Sequence, residues 1–371
     1  MPERGSVGFG RRSSDAPAPE ADATGDKRPW PVGATRLDDD LVATLLPQRP
    51  ARGHKGSFGK LLVLAGSLDY AGAALLVCRG AGRTGVGLVT LAVPESLQPL
   101  FAAKVIEATT MGLPEDDVEE VDPEPAFARI LDHEHDAIVM GPGLRPGLTT
   151  AELVRQLIAA PGDPAPPIVL DAEALRSLAT MDGWWAGERR PAVLTPHAGE
   201  FSRLRAGSGL DPAADGDLVD DDDARVAAVR DAATTWGQVV VLKGARTVIA
   251  DPDGTVAIAP FENPALATGG TGDVLAGAIG ALLAQGLAPF EAARLGVYLH
   301  GSSGDWVRDR YGDAGVLASD LPEGLAIARK RLASLAGRKE GAKGLGFGSR
   351  ERLAATAIAP PSAGKDPSNP A

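Results

Sequence analysis

The sequence predicts an α/β fold with a mostly parallel sheet covered by helices on both faces, and three observations carry the prediction. Short β-rich runs alternate with helical patterns, which puts parallel strands between layers of helices. The residues just after the runs are small or polar, and open parallel sheets bind ligands at those strand ends. Two short runs flank Asp251-Pro252-Asp253-Gly254, a turn-forming tip that makes them a hairpin. In chain order the strands expected are Leu61–Ala65, Leu88–Val93, Ala137–Met140, Ile168–Asp171, Ala192–Leu194 and Val239–Lys243, then the hairpin Thr247–Ala250 with Val256–Ala259. Between and after them the expected helices are Gly72–Ala81, Ala151–Ala159, Asp222–Trp236, Asp273–Gln285 and Pro289–Trp306.

The chain has 371 residues, 44% of them apolar and 4% aromatic, with 46 Gly and 30 Pro. That is enough aliphatic surface to bury a core, so a wholly unfolded chain is excluded. The scarcity of aromatics argues against base-stacking modules. A net charge of −12 repels a phosphate backbone, so nucleic acid is not an expected partner, although backbone amides can still hold a small anion. The single cysteine, Cys78, forbids an intrachain disulfide and reads as a small core residue. There is no apolar block of secretory type near the start. The longest apolar stretch, Val274–Leu283, is about half a membrane span. The expectation is a cytoplasmic protein with no membrane partner. Residues 1–36 and 337–371 read as tails without regular structure, with a short helix possible over Glu351–Ile358; residues 37–336 form the working domain.

Two glycine motifs fail on context. Gly80-Ala81-Gly82-Arg83-Thr84-Gly85 fits G-x-G-x-x-G, but it ends a helix and precedes a strand, the reverse of a dinucleotide fingerprint. Helix-terminating glycines account for it better. The segment from Gly53 to Lys60 has one residue too many for a P-loop and lacks the hydroxyl residue after its lysine. Asp220–Asp223 precedes a helix and suits its positive end. His133 and His135 lack a zinc spacing, and His300 reads as a packed or capping histidine.

The strongest segment is Asn263 to Asp273, ending Gly269-Gly270-Thr271-Gly272-Asp273 before a long apolar helix. Glycines let the backbone approach a ligand, and the unpaired amides of a helix start meet an anion there. Such a loop suits a migrating phosphoryl group. Asp273 is either a helix cap or a general base for a substrate hydroxyl, and the glycines before it favour the base. Lys243-Gly244-Ala245-Arg246-Thr247 closes another strand. Lys243 or Arg246 would neutralise phosphate and Thr247 would donate a hydrogen bond; the bland alternative is a solvated edge loop. His197, in Thr195-Pro196-His197-Ala198-Gly199-Glu200, is either a ligand contact or a structural histidine. Asp171 either places a metal or water near phosphates or caps a helix. Gly141-Pro142-Gly143 and Gly66-Ser67, with Ala73 further on, supply small residues at two more strand ends.

Together these segments resemble the ADP/ATP-dependent NAD(P)H-hydrate dehydratases of the ribokinase-like superfamily. The motifs are Lys55-Gly56-x-x-Gly59, Gly66-Ser67-x-x-Tyr70-x-Gly72-Ala73-Ala74, Arg83-Thr84-Gly85-x-Gly87-Leu88-Val89, Gly141-Pro142-Gly143, Asp171-Ala172-Glu173-Ala174-Leu175, Thr195-Pro196-His197-x-Gly199-Glu200-Phe201, Lys243-Gly244-Ala245 and Asn263–Asp273. The resemblance implies a ribokinase-like three-layer α/β/α sandwich. It implies that ADP phosphorylates the ring hydroxyl of hydrated NADH or NADPH and that phosphate is then eliminated. Asp273 would be the base; Ala73, Gly143, His197 and Asp273 would touch the hydrated dinucleotide; Lys243, Gly244, Ala245, Arg246, Thr247 and Gly272 would hold the nucleotide. Gly269, Gly270, Thr271 and Gly272 would form the anion loop. Mg²⁺ would ride mainly on the nucleotide phosphates with few protein ligands of its own, and a homo-oligomer, a tetramer, would be the working form. The pattern departs at Arg145, where a glycine is usual, and at Phe261-Glu262, where Thr-Gly is common. About fifty residues precede Lys55, too few for the epimerase domain some relatives carry, so dehydratase activity alone is expected. Two alternatives use the same residues: a kinase of a hydroxylated vitamin precursor (of hydroxymethylpyrimidine or hydroxyethylthiazole type), and a nucleotide-binding regulator without turnover.

Overall fold

The computed structural model describes residues 29–159, 165–211 and 217–345, and a compact unit begins at Pro31. Its elements in chain order are β1 (Thr35–Arg36), α1 (Asp39–Ala43), β2 (Lys60–Leu64), α2 (Ala71–Thr84), β3 (Leu88–Pro94), α3 (Gln98–Ala102), β4 (Thr109–Leu113), β5 (Glu115–Asp117), β6 (Glu120–Val121), α4 (Pro123–Asp132), β7 (Ala137–Met140) and α5 (Leu148–Ala159). Then come β8 (Ile168–Leu170), α6 (Glu173–Leu178), β9 (Ala192–Leu194), α7 (Ala198–Gly207), α8 (Asp217–Asp220), α9 (Asp222–Trp236), β10 (Val239–Leu242), β11 (Val248–Ala250), β12 (Val256–Ile258), α10 (Thr271–Ala284), α11 (Pro289–Tyr311) and α12 (Leu321–Leu345).

Ten strands form one sheet in the order β1-β12-β11-β10-β9-β8-β7-β2-β3-β4. Only the β10–β11 and β11–β12 pairs are antiparallel, so the sheet is mostly parallel, with the expected hairpin at β11–β12. Strand residues alternate between two buried faces. Leu61, Val63, Val139, Val169, Val193 and Val241 join the core built with α2, α10, α11 and α12. Leu62, Leu64, Ile138, Met140, Leu170 and Leu242, also buried, belong to the opposite face, against the layer of α4, α5, α6, α7 and α9. The fold is the ribokinase-like α/β/α sandwich.

Helix α10 explains the apolar stretch Val274–Leu283. Every residue from Val274 to Ala284 is buried, because the helix lies between the sheet and α2 and α11. No described helix is long and apolar enough to cross a membrane. Helices α2 and α10 approach through small residues: a Cβ on Gly80 would stand 2.6 Å from the Val274 carbonyl oxygen, and one on Gly277 would overlap the Val77 carbonyl. Gly80 is therefore a helix-crossing residue. In that rejected motif only Gly85, the left-handed C-cap of α2, ends the helix.

Several elements escaped the sequence reading. The edge strand β4, the β5–β6 hairpin and helices α1, α3, α4, α6, α7 and α8 are all short. The sheet begins at Thr35, inside the segment assigned to the N-terminal tail, with β1 parallel to β12 and buried Leu37 donating its N–H to Ile258. At the other end α12 runs to Leu345, past residue 336. Its Arg329 donates to the Thr84 carbonyl (2.7 Å), and Arg331 pairs with Asp39 (2.7 Å). The remainder of both tails, with Glu351–Ile358, lies outside the described residues.

Candidate active site

The parallel strands deliver their C-terminal ends to one edge of the sheet. From β8 comes Asp171, from β9 His197 and Glu200, from β10 Lys243 and Gly244, and from β7 the turn Gly141–Gly143. Helix α10 starts at the same edge. Gly270 is its N-cap at φ +91°, and a side chain there would collide with Leu76 and Ala318. The loop before it is held by the Thr271 hydroxyl, which donates to the carbonyls of Leu266 (2.9 Å) or Thr268 (3.0 Å). His300 of α11 donates from Nε2 to the Thr271 carbonyl (2.9 Å). Burial pushes its imidazole down to about 4, so it is neutral at ordinary pH. The first-turn amides of Gly272 and Asp273 are those a helix leaves without an internal acceptor, and the positive end of the dipole adds to their pull on an anion.

Lys243 Nζ donates to Asp171 Oδ1 at 2.7 Å and lies 3.9 Å from Glu200 Oε2. It stands 3.4 Å from the position a Cβ would take on Gly272. Burial pulls the pKa of the lysine down, but Asp171, Glu200 and Asp273 raise it on balance above its ordinary value and keep it an ammonium. Asp273 is half-buried in the first turn of α10. Burial first, and then the charge of Asp171, push its carboxyl up to about 7, with Lys243 pulling the other way. A carboxyl in that range exchanges protons readily near neutral pH, which suits a general base.

Between the start of α10, the turn after β10 and α11 lies a cavity of about 520 Å³. Lys243, Gly244, Ala245, Thr247, Thr271 and Gly272 line its polar side, and Phe261, Leu266, Val297, His300 and Gly301 much of the rest. A cationic, glycine-lined end joined to an apolar chamber suits a nucleotide. The Thr247 hydroxyl currently donates to the Gly244 carbonyl (3.0 Å).

Arg246 departs from the expectation. It is buried, with its guanidinium on Asp222 (3.0 Å) and Glu262 (2.6 Å), and it does not line the cavity. It braces the turn instead of meeting phosphate. Asp222 likewise does more than suit a helix end, since it also pairs with Arg225 (3.1 Å), while Asp221 caps α9. Arg225 was not foreseen; it donates to the carbonyls of Ala245 (2.5 Å) and Arg246 (3.2 Å) and so shapes the turn that presents Lys243.

Ala73 and Gly143 meet: a Cβ on Gly143, at φ +66°, would stand 2.8 Å from Ala73 Cβ. They sit outside the cavity. So does His197, whose structural role is now plain. It is the N-cap of α7, with Nδ1 accepting from the Gly199 amide (3.1 Å), while Glu200 returns a bond to the His197 amide (2.9 Å). Its ring stays half-exposed, with Nε2 as the remaining polar atom. Gly269 faces open space. Sequence reasoning quoted Glu200 without a role; the signal was the histidine–glutamate spacing of a capping box. Cys78 is a buried core thiol, pushed up to about 12. His133 and His135 stack at 6.1 Å, and no metal-binding cluster of three His, Cys, Asp or Glu occurs among the described residues.

Comparisons with known proteins agree with this geometry. A family model described as NAD(P)H-hydrate dehydratase matches residues 61–326. A bifunctional NAD(P)H-hydrate repair enzyme of Moorella thermoacetica is 41% identical over 290 residues, which is 77% of this chain and 52% of that one. The chain thus spans about half the length of the bifunctional relatives it matches. The ADP-dependent (S)-NAD(P)H-hydrate dehydratase of Bacillus subtilis is 35% identical over 295 residues, 79% of this chain and 97% of that one. A crystal structure of the ADP/ATP-dependent dehydratase from Bacillus subtilis, co-crystallised with ATP and Mg²⁺, matches with a TM-score of 0.68 and 32% identity, covering 81% of this chain and 99% of that one.

Proposed function

The chain belongs to the NAD(P)H-hydrate dehydratase family, and from that premise we propose that it repairs hydrated NADH and NADPH with ADP as phosphoryl donor. Hydroxide is a poor leaving group, and phosphorylation makes it a good one. Asp273 takes the proton of the ring hydroxyl as its oxygen attacks the terminal phosphorus of ADP. The bond to the bridging oxygen breaks and AMP leaves. The amides of Gly270, Gly272 and Asp273 and the Lys243 ammonium meet the charge on the moving phosphoryl. Phosphate then departs from the ring carbon, a proton leaves the neighbouring carbon, and the dihydronicotinamide double bond returns.

The observation that carries this reading is the position of Asp273, one residue past a glycine that lines a nucleotide-sized cavity beside a fixed ammonium. The phosphates lie at Lys243, Gly244 and Gly272, and the adenosine fills the apolar part of the cavity. Ala73, Gly143 and the exposed face of His197 receive the hydrated dinucleotide. Mg²⁺ would be held mainly through the nucleotide phosphates and would screen their charge. The buried carboxylates nearest the loop, Asp171 and Glu200, already face the Lys243 ammonium, which fits an ion held by its nucleotide. The working form is a homo-oligomer in the cytoplasm. Its support is an apolar groove of about 710 Å³ on α2, flanked by exposed Ile106 and Leu317.

Incubation with hydrated NADH, ADP and Mg²⁺ tests the proposal. Return of the dihydronicotinamide absorbance with release of AMP supports it. No return, with a hydroxymethylpyrimidine or hydroxyethylthiazole phosphorylated when supplied in place of hydrated NADH, would make the protein a vitamin kinase. Running each of ADP and ATP against each of hydrated NADH and NADPH fixes the preferences.

A further inference from the structure

We propose that Asp171 is a positioning residue for phosphoryl transfer: its carboxylate fixes the Lys243 ammonium against the glycine loop at Gly272. The inference rests on the reading of the site given above.

Asp171 is 2% exposed and lies at the end of β8, two strands from the lysine. The chain bends sharply to deliver it. Ala172 sits at φ +48°, a region side chains rarely adopt, and Gly141 lacks the side chain that would strike the Asp171 carbonyl. The carboxylate meets Nζ at 2.7 Å. A buried ion pair adds little net stability, because desolvation offsets attraction, yet it fixes geometry firmly. A lysine has four flexible carbons and a point charge, so it needs such a partner to stand at one spot. Glu200 is the second anchor at 3.9 Å, itself immobilised by the His197 cap. The charged and titratable groups around the loop are thus Asp171 from β8, Glu200 from α7, Lys243 from β10, neutral His300 from α11 and Asp273 itself. Three carboxylates share one ammonium, so removing any member changes the field at Asp273.

A double-mutant cycle on the full chain tests this. Asp171→Asn should lower kcat by about tenfold or more in the native background, and by less than about twofold in the Lys243→Met background. A purely structural role predicts losses that multiply, and multiplying losses, or a silent Asp171→Asn, would overturn the proposal. The pH profile gives a separate signature: Asp171→Asn moves the acid limb of turnover to lower pH and Lys243→Met moves it higher, whereas mere loss of folded enzyme moves neither. If Asp171→Asn does not fold, Asp171→Glu keeps the charge but displaces the ammonium; kcat should fall with the acid limb near its native place, and an unchanged kcat counts against the proposal. The same cycle run on ADP affinity needs no hydrated substrate. Absent turnover in the native protein would therefore sink the proposed function and leave the Asp171–Lys243 coupling readable.

Discussion

At the scale of single residues, the proposed chemistry concentrates on Asp273. Its carboxyl is pushed up to about 7 against an ordinary 3.8. The base must be ionised to work, so turnover falls as the pH drops through about 7, and a pH–rate profile checks this. Asp273→Asn should cut turnover by about 10³-fold and leave ADP affinity largely unchanged, as read by calorimetry. Near-normal turnover in that variant would refute its role as base. The same shift carries a stability consequence. The folded pKa lies above the unfolded one, so the protonated carboxyl favours folding fully below 3.8, and that contribution is lost as the pH rises through the folded value of about 7. Asp273→Asn should accordingly unfold at higher urea than the native protein at pH 8, with the gap closing as the pH falls from about 7 toward the ordinary 3.8. Asp273 and its glycines were legible in the sequence because their signal is local. The partners of Arg246 were not, because Asp222 and Glu262 reach it from distant parts of the chain.

At the scale of elements, the turn after β10 and the start of α10 are held from outside. Arg246→Ala would take one cationic partner from each of two carboxylates, Asp222 largely buried and Glu262 less so, and should cost about 3 kcal/mol in chemical denaturation. A phosphate-binding role would instead show as weaker ADP binding at unchanged stability. Helix α10 depends on its crossing with α2. Gly277→Ala would push a methyl group into the Val77 carbonyl and should cost about 2 kcal/mol, with a loss of kcat because α10 carries Asp273. Longer elements, such as α9 and α11, and the fully apolar strands β7 and β9 were readable at or near their observed bounds. Short elements were not: α6 and α7 span only a few turns, and β4 owes its conformation to pairing with β3.

For the whole molecule, the groove on α2 presents apolar surface that a second copy would cover. Sedimentation should give a mass above that of one chain, and Ile106→Asp with Leu317→Asp should reduce it while the monomer stays folded. A single-chain mass for the native protein would reject the oligomer. The sequence alone determined the alternation of strands and helices, the anion loop at the head of an apolar helix, and the candidate base, since each depends on residues close together in the chain. Tertiary structure alone decided which cation faces the glycine loop. Lys243 points to the glycine loop and Arg246 away from it, though they stand three residues apart on one turn. The reason is physical: a buried charge goes where countercharge awaits it, and folding brings that countercharge from other strands and helices.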